Sequence, residues 1–471
     1  MIDSDDAVPD TPTAVSLDGR YFQFTGVLES GYEPGSFITL LTQDGVRQLG
    51  QVEEVAFAIG EVLHGAGRIL GVVSDNGRKL DSGRLTPFGA AEIHPADARV
   101  VEALYEGSTS SLQIGSFLAT DDVPARLLAN RFNRHTFWCG QSGSGKTYAL
   151  GVVIEQLLLR TRLPMVIFDP NADFVRLREP DTGNEESEVG LTLSARDIRI
   201  LRPSSPNPDS LRVRFTDLPL RARGAILHLH PLDDRAEYNE LIHLEETVGN
   251  LGPDQIVPRL LERRTAAADA LAARIENLSV IDWRVWAGEL EAVTDILEMR
   301  PDATVLDLGG FAYPDESLVV ATAVLDDLWA KREERRPILI VIDEAHNLCS
   351  PDANSPLHVA VRERIIQIAA EGRKFGLWLL LSTQRPSRIH PSIISQCDNL
   401  ALMKMTSPAD LDELAKIFGF VPAALFARSP RFRQGEALFA GGFVPAPALV
   451  RMGRRITREG GADVGVPIRT S

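Results

Sequence analysis

Between residues 14 and 105, apolar and polar positions alternate in short runs: "YFQFTGVL", "GSFITLLT", "RQLGQVEEVAFAI" and "RILGVVS". A two-residue period sends one set of side chains to a core and the other to solvent. The pairs Asp44-Gly45 and Asn76-Gly77 punctuate the runs as hairpin turns do, so this segment is expected to form a small β-barrel or sandwich. From about residue 131 the pattern changes. Continuous apolar runs now alternate with helical periodicity: "HTFWCG", "PMVIFD", "IRIL", "ATVLDL", "PILIVID", "GLWLLLST" and "NLALMK". Strands apolar along their whole length, separated by helices, imply a parallel sheet covered on both faces. Residues from about 235 to 300 keep a helical period, carry many carboxylates and show no strand signal, which predicts a helical insertion. A last hairpin-like pair follows in "GEALFAGGFVPAPALVRM", and "REPDTGNEESE" (178–188) reads as a solvated acidic loop.

These patterns divide the chain into a disordered acidic tail (1–13), a β-barrel domain (14–110), an α/β core (111–450) holding the insertion, and a C-terminal extension (451–471). Length agrees, since 471 residues suit two or three domains. No apolar run approaches the roughly 20 residues a membrane helix needs. The start "MIDSDDAVPDTPT" has neither a basic nor an apolar stretch, so no signal peptide, no membrane segment and a cytoplasmic location are expected. Cys139, Cys349 and Cys397 are far apart, show no metal-type spacing and read as buried small hydrophobes. The pair His228 and His230 has no evident third ligand, which favours a structural reading. A net charge of −16 speaks against a general basic surface for nucleic acid, although it leaves room for a local one inside a ring. Arg451, Arg454, Arg455 and Arg458 in the tail are candidates for contact with nucleic acid or a neighbouring subunit, with a solvated terminus as the plain alternative.

The chemistry begins at "GQSGSGKT" (140–147), which follows an apolar strand and opens a helical stretch. This is the full spacing of a phosphate-binding loop. Gly140, Gly143 and Gly145, with Ser142 and Ser144 between them, let the backbone curl so that its N–H groups face phosphates. Lys146 is expected on the β and γ phosphates of ATP, and Thr147 on Mg²⁺. "PILIVIDEAH" (337–346) supplies an apolar strand ending in two acids. Asp343 is placed to hold the Mg²⁺ and its water, and Glu344 to polarise the attacking water as a general base. A base aimed at water favours hydrolysis over small-molecule kinase chemistry.

Ligands of open α/β sheets bind at the carboxyl ends of the strands. Gln384, after "GLWLLLST", therefore falls near the γ-phosphate. Arg373 and Arg134 precede strands instead. A six-residue strand separates its ends by roughly 20 Å, too far for either arginine to serve its own nucleotide. If they act on ATP they act on a neighbour's, as a ring permits; otherwise they pair with surface carboxylates.

Taken together, "RHTFWCGQSGSGKT", "VIFDPNADF", "ILIVIDEAHNL", "AAEGRKFGLWLLLSTQRPSRIHPSIISQCDN" and "LMKMTSPADLDEL" are similar to the HerA family of hexameric DNA translocases, within the wider group that includes FtsK and conjugative coupling ATPases. The resemblance covers about 130 to 450, and the N-terminal segment resembles that family's small HAS-type barrel in length, position and "LGQVEEV". It implies an α/β, RecA-like P-loop ATPase core and nucleotide-site roles for Lys146, Thr147, Asp343, Glu344 and Gln384. It also implies that Arg134 and Arg373 reach across subunits, and that Asp169 supports the site. Where the family often has His-Gly this chain has "PNAD", so Asn171 is given no role. The implied activity is a homo-hexameric motor that moves on double-stranded DNA in its central channel. A separate nuclease or other effector would dock on the β-domain, in DNA end processing or anti-phage defence. An ATP-dependent scaffold ring that activates an effector with little DNA movement is the alternative.

Overall fold

A computed structural model describes all residues except 1–11, 28–30, 58–61, 107–109, 121–122, 249–252, 354 and 462–471. The expected acidic tail and the end of the C-terminal extension lie outside the described residues. The chain divides into two compact units. The first combines the chain up to Arg131 with Trp138–Gln156 and Asp398–Arg454; the second combines Phe132–Phe137, Leu157–Cys397 and the chain from Arg455 onward.

In the first unit the alternating segment forms β1 (Thr13–Ser16), β2 (Tyr21–Val27), β3 (Phe37–Thr42), β4 (Arg47–Phe57), β5 (Val62–Ser74), β6 (Lys79–Asp81) and β7 (Phe88–Pro95). Their order is β2-β1-β7-β3-β4-β5-β6, and β5 also pairs with β2 from Tyr21↔Arg68 to Val27↔Val62, which closes a six-stranded barrel. Closure removes the exposed edges that an open sheet of this size presents. The inward positions Phe22, Phe24, Ile38, Leu40, Val52, Leu63, Ile69 and Ile93 form its core. Gly67 makes this packing possible, because a Cβ there would lie 2.4 Å from the Phe22 ring and 2.1 Å from the Gln51 carbonyl.

The same unit contains β8 (Ser111–Phe117), β9 (Pro124–Leu128), the second half of β10 (Thr136–Cys139), β16 (Asn399–Leu402), β17 (Glu436–Gly441) and β18 (Ala448–Met452). Strands β16, β17, β18, β8 and β9 run antiparallel in that order. The barrel is fastened to them: Gln51 Nε2 donates to the Pro447 carbonyl (2.7 Å), Arg428 pairs with Glu33 (2.6 Å), and the Phe37 and Phe117 rings meet edge to face.

The second unit holds the parallel strands β11 (Met165–Asp169), β12 (Ile198–Leu201), β13 (Ala303–Asp307), β14 (Ile338–Ile342) and β15 (Leu377–Thr383). Their order is β12-β13-β11-β14-β15. Every residue of β11 and β14 is buried, as the uninterrupted apolar runs require. Helices Pro314–Ala330 and Pro356–Glu371 pack on one another in this unit. The insertion is helical: Arg235–Val248, Pro253–Glu262, Ala266–Asn277 and Val293–Glu298. No helix among the described residues is long and apolar enough to cross a membrane.

Two readings of the sequence change. The acidic loop is more than solvated surface, because Asp181 N–H donates to the Ile456 carbonyl (2.8 Å), Pro180 bridges to Thr457, and Glu185 pairs with Arg458 (2.9 Å). The arginines of the tail are correspondingly engaged. Arg455 is buried with its guanidinium over the Phe174 ring, and Arg451 pairs with Glu436. All three cysteines are buried, and burial pushes the Cys139 and Cys349 thiols far above their ordinary range.

Candidate active site

In the first unit, β10 ends at Cys139 and the chain turns through Gly140–Gly145 into the helix Lys146–Arg160. The turn closes with Ser144 N–H on the Gln141 carbonyl (3.2 Å). Gly143 (φ +74°) and Gly145 (φ +85°) take left-handed backbone, which costs an L-residue about 1–2 kcal/mol and glycine almost nothing. Neighbouring strands hold the loop in shape. Gln141 N–H donates to the Lys404 carbonyl (2.8 Å), Thr406 Oγ1 donates to Gln141 Oε1 (2.8 Å), and Gly435 N–H donates to the Ser144 carbonyl (3.0 Å). Gly435, in the turn before β17, carried no signal in the sequence. Lys146 is only 4% exposed. The first N–H groups of a helix lack carbonyl partners within it, and with the dipole they favour an anion at this end.

In the second unit, the registers Phe168↔Ile342 and Ile342↔Leu381 bring Asp169, Asp343 and Ser382 to one carboxyl edge. Ser382 Oγ donates to Asp343 Oδ1 at 2.7 Å, and both residues are buried. Glu344 is the next residue and has φ +43°, in the left-handed region, where a side chain is strained by about 1–3 kcal/mol. Strain of this kind persists where the surroundings over-determine it. Here Ala345 N–H is held by the Ser382 carbonyl (2.8 Å), and Gln384 Nε2 donates to Glu344 Oε1 (2.7 Å). His346 Nδ1 lies 3.2 Å from Glu344 Oε2 and 3.2 Å from Thr383 Oγ1. Glu344 and Gln384, separated by forty residues of chain, are thus brought into contact as the strand ends require. Ser382 and His346 were missed by motif reading. Their only signal was position, one beside Gln384 and the other in the turn after the two acids.

Asp169 faces backbone of its own loop. Its two oxygens accept from Asp173 N–H (2.9 Å) and Phe174 N–H (2.8 Å), so it shapes the turn after β11. Burial dominates its ionisation and pushes it up to about 7, against the lowering effect of those two bonds and with the charges of Asp173 and Asp343 adding to the rise. Asn171 lies in that turn, beside Ala172 at φ +60°.

Arg134 precedes β10 and Arg373 precedes β15, so both stand at strand starts. Leu379 N–H donates to His135 Nδ1 (2.9 Å), which brings these two starts side by side. With β15 seven residues long, Arg373 is roughly 20 Å from the carboxyl edge where Gln384 lies. His228 and His230 serve local structure: the His228 carbonyl accepts from Arg274 and His230 pairs with Asp233. Among the described residues no cluster of three or more His, Cys, Asp or Glu could hold a metal ion.

Residues 112–326 match the family model described as Helicase HerA, central domain. Over 483 residues the chain is 24% identical to the DNA double-strand break repair helicase HerA of Pyrococcus furiosus, spanning 89% of this chain and 82% of that one. It is 24% identical over 400 residues to the protein of the same name from Sulfurisphaera tokodaii, spanning 82% and 77%. Among solved structures, the plasmid coupling protein TrwB with a non-hydrolysable ATP analogue superposes with a TM-score of 0.50 at 14% identity, over 77% of this chain and 94% of that one. That likeness shows the shared P-loop ATPase fold.

Proposed function

We propose, from the premise that this chain belongs to the HerA helicase family, that it is an ATP-hydrolysing motor that moves along double-stranded DNA as a homo-hexameric ring. The observation that carries the hydrolytic reading is the Glu344 carboxylate, held by Gln384 in a strained left-handed backbone beside Asp343. Structural turns rarely sustain such an arrangement, whereas a base that must be aimed at one water requires it. In this reading the backbone of Gly140, Ser142, Gly143, Ser144 and Gly145, with Lys146, holds the phosphates of ATP. Thr147 and Asp343 offer the hard oxygen donors that Mg²⁺ takes. The ion, when bound, neutralises charge developing between the β and γ phosphates. Glu344 accepts the proton of the attacking water, Gln384 orients that water, and Arg134 and Arg373 stabilise the charge on a neighbouring subunit's nucleotide. DNA is held through its phosphates without regard to sequence, so binding weakens steeply with salt.

A separate nuclease or other effector would dock on the barrel, where Tyr21 and Phe57 are 52% and 70% exposed. The identity of whatever co-purifies with the full chain, and its loss in Phe57→Glu, tests that part. The motor reading is tested by steady-state ATP hydrolysis with and without linear duplex DNA. Stimulation by DNA, lost in Glu344→Gln while ATP still binds, is the expected result. Turnover indifferent to DNA but dependent on a co-purified protein would favour the scaffold instead, and full turnover by Glu344→Gln would refute the assignment of the base.

A further inference from the structure

We infer that His346 is a positioning residue for hydrolysis, one that locks the carboxylate of Glu344 to the turn carrying Gln384 so that base and water-orienting amide act as one rigid unit. The inference rests on the ATPase reading above and adds to it a residue that neither the motifs nor the comparisons assign.

The geometry is a closed chain of contacts between two strand ends. From the end of β14, Glu344 Oε2 lies 3.2 Å from His346 Nδ1. The same nitrogen lies 3.2 Å from Thr383 Oγ1, the last residue of β15. Thr383 Oγ1 accepts from Arg385 N–H (3.0 Å), which bends the backbone on either side of Gln384. Gln384 Nε2 returns to the other oxygen of Glu344 at 2.7 Å. The ring closes through side chains that are mostly buried: Glu344 is 5% exposed, Thr383 0%, and the His346 side chain 19%.

The chemistry of the groups settles where the protons sit. A general base works as an ionised carboxylate, which offers acceptors and no donor. The nitrogen facing Glu344 Oε2 must therefore carry hydrogen, which places the imidazole proton on Nδ1. Gln384 and His346 then hold one carboxylate oxygen each. A single tether would leave the group free to turn about its last torsion, whereas two tethers on different oxygens fix its plane. The backbone at Glu344 has no comparable means of aiming the side chain, since its left-handed conformation is itself kept in place by these contacts and by Ala345 N–H on β15. Aim matters most in the transition state, so loss of His346 should appear in turnover and not in nucleotide binding.

The test uses the full-length chain and compares His346→Ala, His346→Asn and Glu344→Gln with the unmodified protein. Steady-state ATP hydrolysis with duplex DNA gives kcat, and equilibrium binding of a non-hydrolysable ATP analogue gives affinity. His346→Ala should lower kcat on the order of 10- to 100-fold with analogue affinity within about twofold. His346→Asn can present an amide N–H where Nδ1 stood and should recover most of the loss. Unchanged kcat in His346→Ala overturns the inference. So does an asparagine variant as impaired as alanine, and so does parallel loss of analogue binding, which would mark a role in folding alone. If the unmodified protein hydrolyses no ATP although it binds the analogue, the ATPase reading itself fails and this inference falls with it. A hydrolysing protein indifferent to His346→Ala removes this inference only.

Discussion

Asp169 combines complete burial with two backbone hydrogen bonds, and these pull its ionisation in opposite directions. Desolvation prevails, and the group is pushed up to about 7 from an unfolded value near ~4. Between those values the folded protein holds a proton that the unfolded chain has released. The stability this group contributes is therefore full below pH ~4 and is lost as pH rises through about 7. Asp169→Asn cannot ionise, so in EDTA without nucleotide the unmodified protein should lose more stability than the variant between pH ~4 and ~8, by a few kcal/mol. Equal slopes in urea unfolding across that window would show that the burial of Asp169 is not felt as proton uptake. Legibility differed from residue to residue. Lys146, Asp343, Glu344 and Gln384 stood out because their chemistry recurs at fixed offsets from apolar strands. Ser382, His346 and Gly435 did not, because a hydroxyl, an imidazole or a glycine gains its meaning only from what folding brings beside it.

At the scale of elements, the strands were readable because burial on both faces leaves an uninterrupted apolar run, and β10 to β16 all fall on such runs. Their order was not readable. The sequence of β12, β13, β11, β14 and β15 across the sheet depends on crossovers of similar length, and side-chain patterns within one strand carry no record of its neighbour. The insertion was likewise legible as helix, while its attachment was hidden in one residue. Glu316, fully buried in the first turn of helix Pro314–Ala330, accepts from the N–H groups of Arg284 (2.6 Å) and Val285 (3.2 Å) through one oxygen, and from Ala312 (3.1 Å) and Tyr313 (2.9 Å) through the other. It caps its own helix and staples the end of the insertion to it. Glu316→Ala leaves these donors without the carboxylate in a dry setting, which should cost about 3 kcal/mol or more. Glu316→Gln keeps one carbonyl oxygen and should cost roughly half as much. Hydrogen exchange is the local readout: the amides of Arg284, Val285, Ala312 and Tyr313 should exchange faster in the alanine variant, with those of β11 and β14 unchanged. Unaltered exchange at all four would mean that the staple is redundant.

For the whole molecule, the position of two arginines makes the strongest demand. Arg134 and Arg373 stand at the starts of β10 and β15, side by side through the His135 to Leu379 hydrogen bond, while the acids and Gln384 follow strand ends. Roughly 20 Å of strand separates the two edges, so an arginine here can assist hydrolysis only on another copy of the chain. A closed ring satisfies that demand everywhere at once, because each head-to-tail interface pairs one subunit's phosphate loop with the next subunit's arginines. The consequence can be measured by mixing. Lys146→Ala removes the phosphate contact of its own subunit and leaves its arginines intact; Arg373→Ala does the reverse. Each variant alone should be inactive, since every interface then lacks one component. In an equal mixture assembled at random, about a quarter of the interfaces join an intact loop to an intact arginine. ATP hydrolysis should return, up to about that fraction of the unmodified rate where sites fire independently and less where each must wait for its neighbour. Exchange of subunits between the two preparations has to be demonstrated, for example by co-purification of a tagged variant with an untagged one. No recovery despite exchange, or full hydrolysis by a species that light scattering identifies as a monomer, would return both arginines to the role of surface ion pairs.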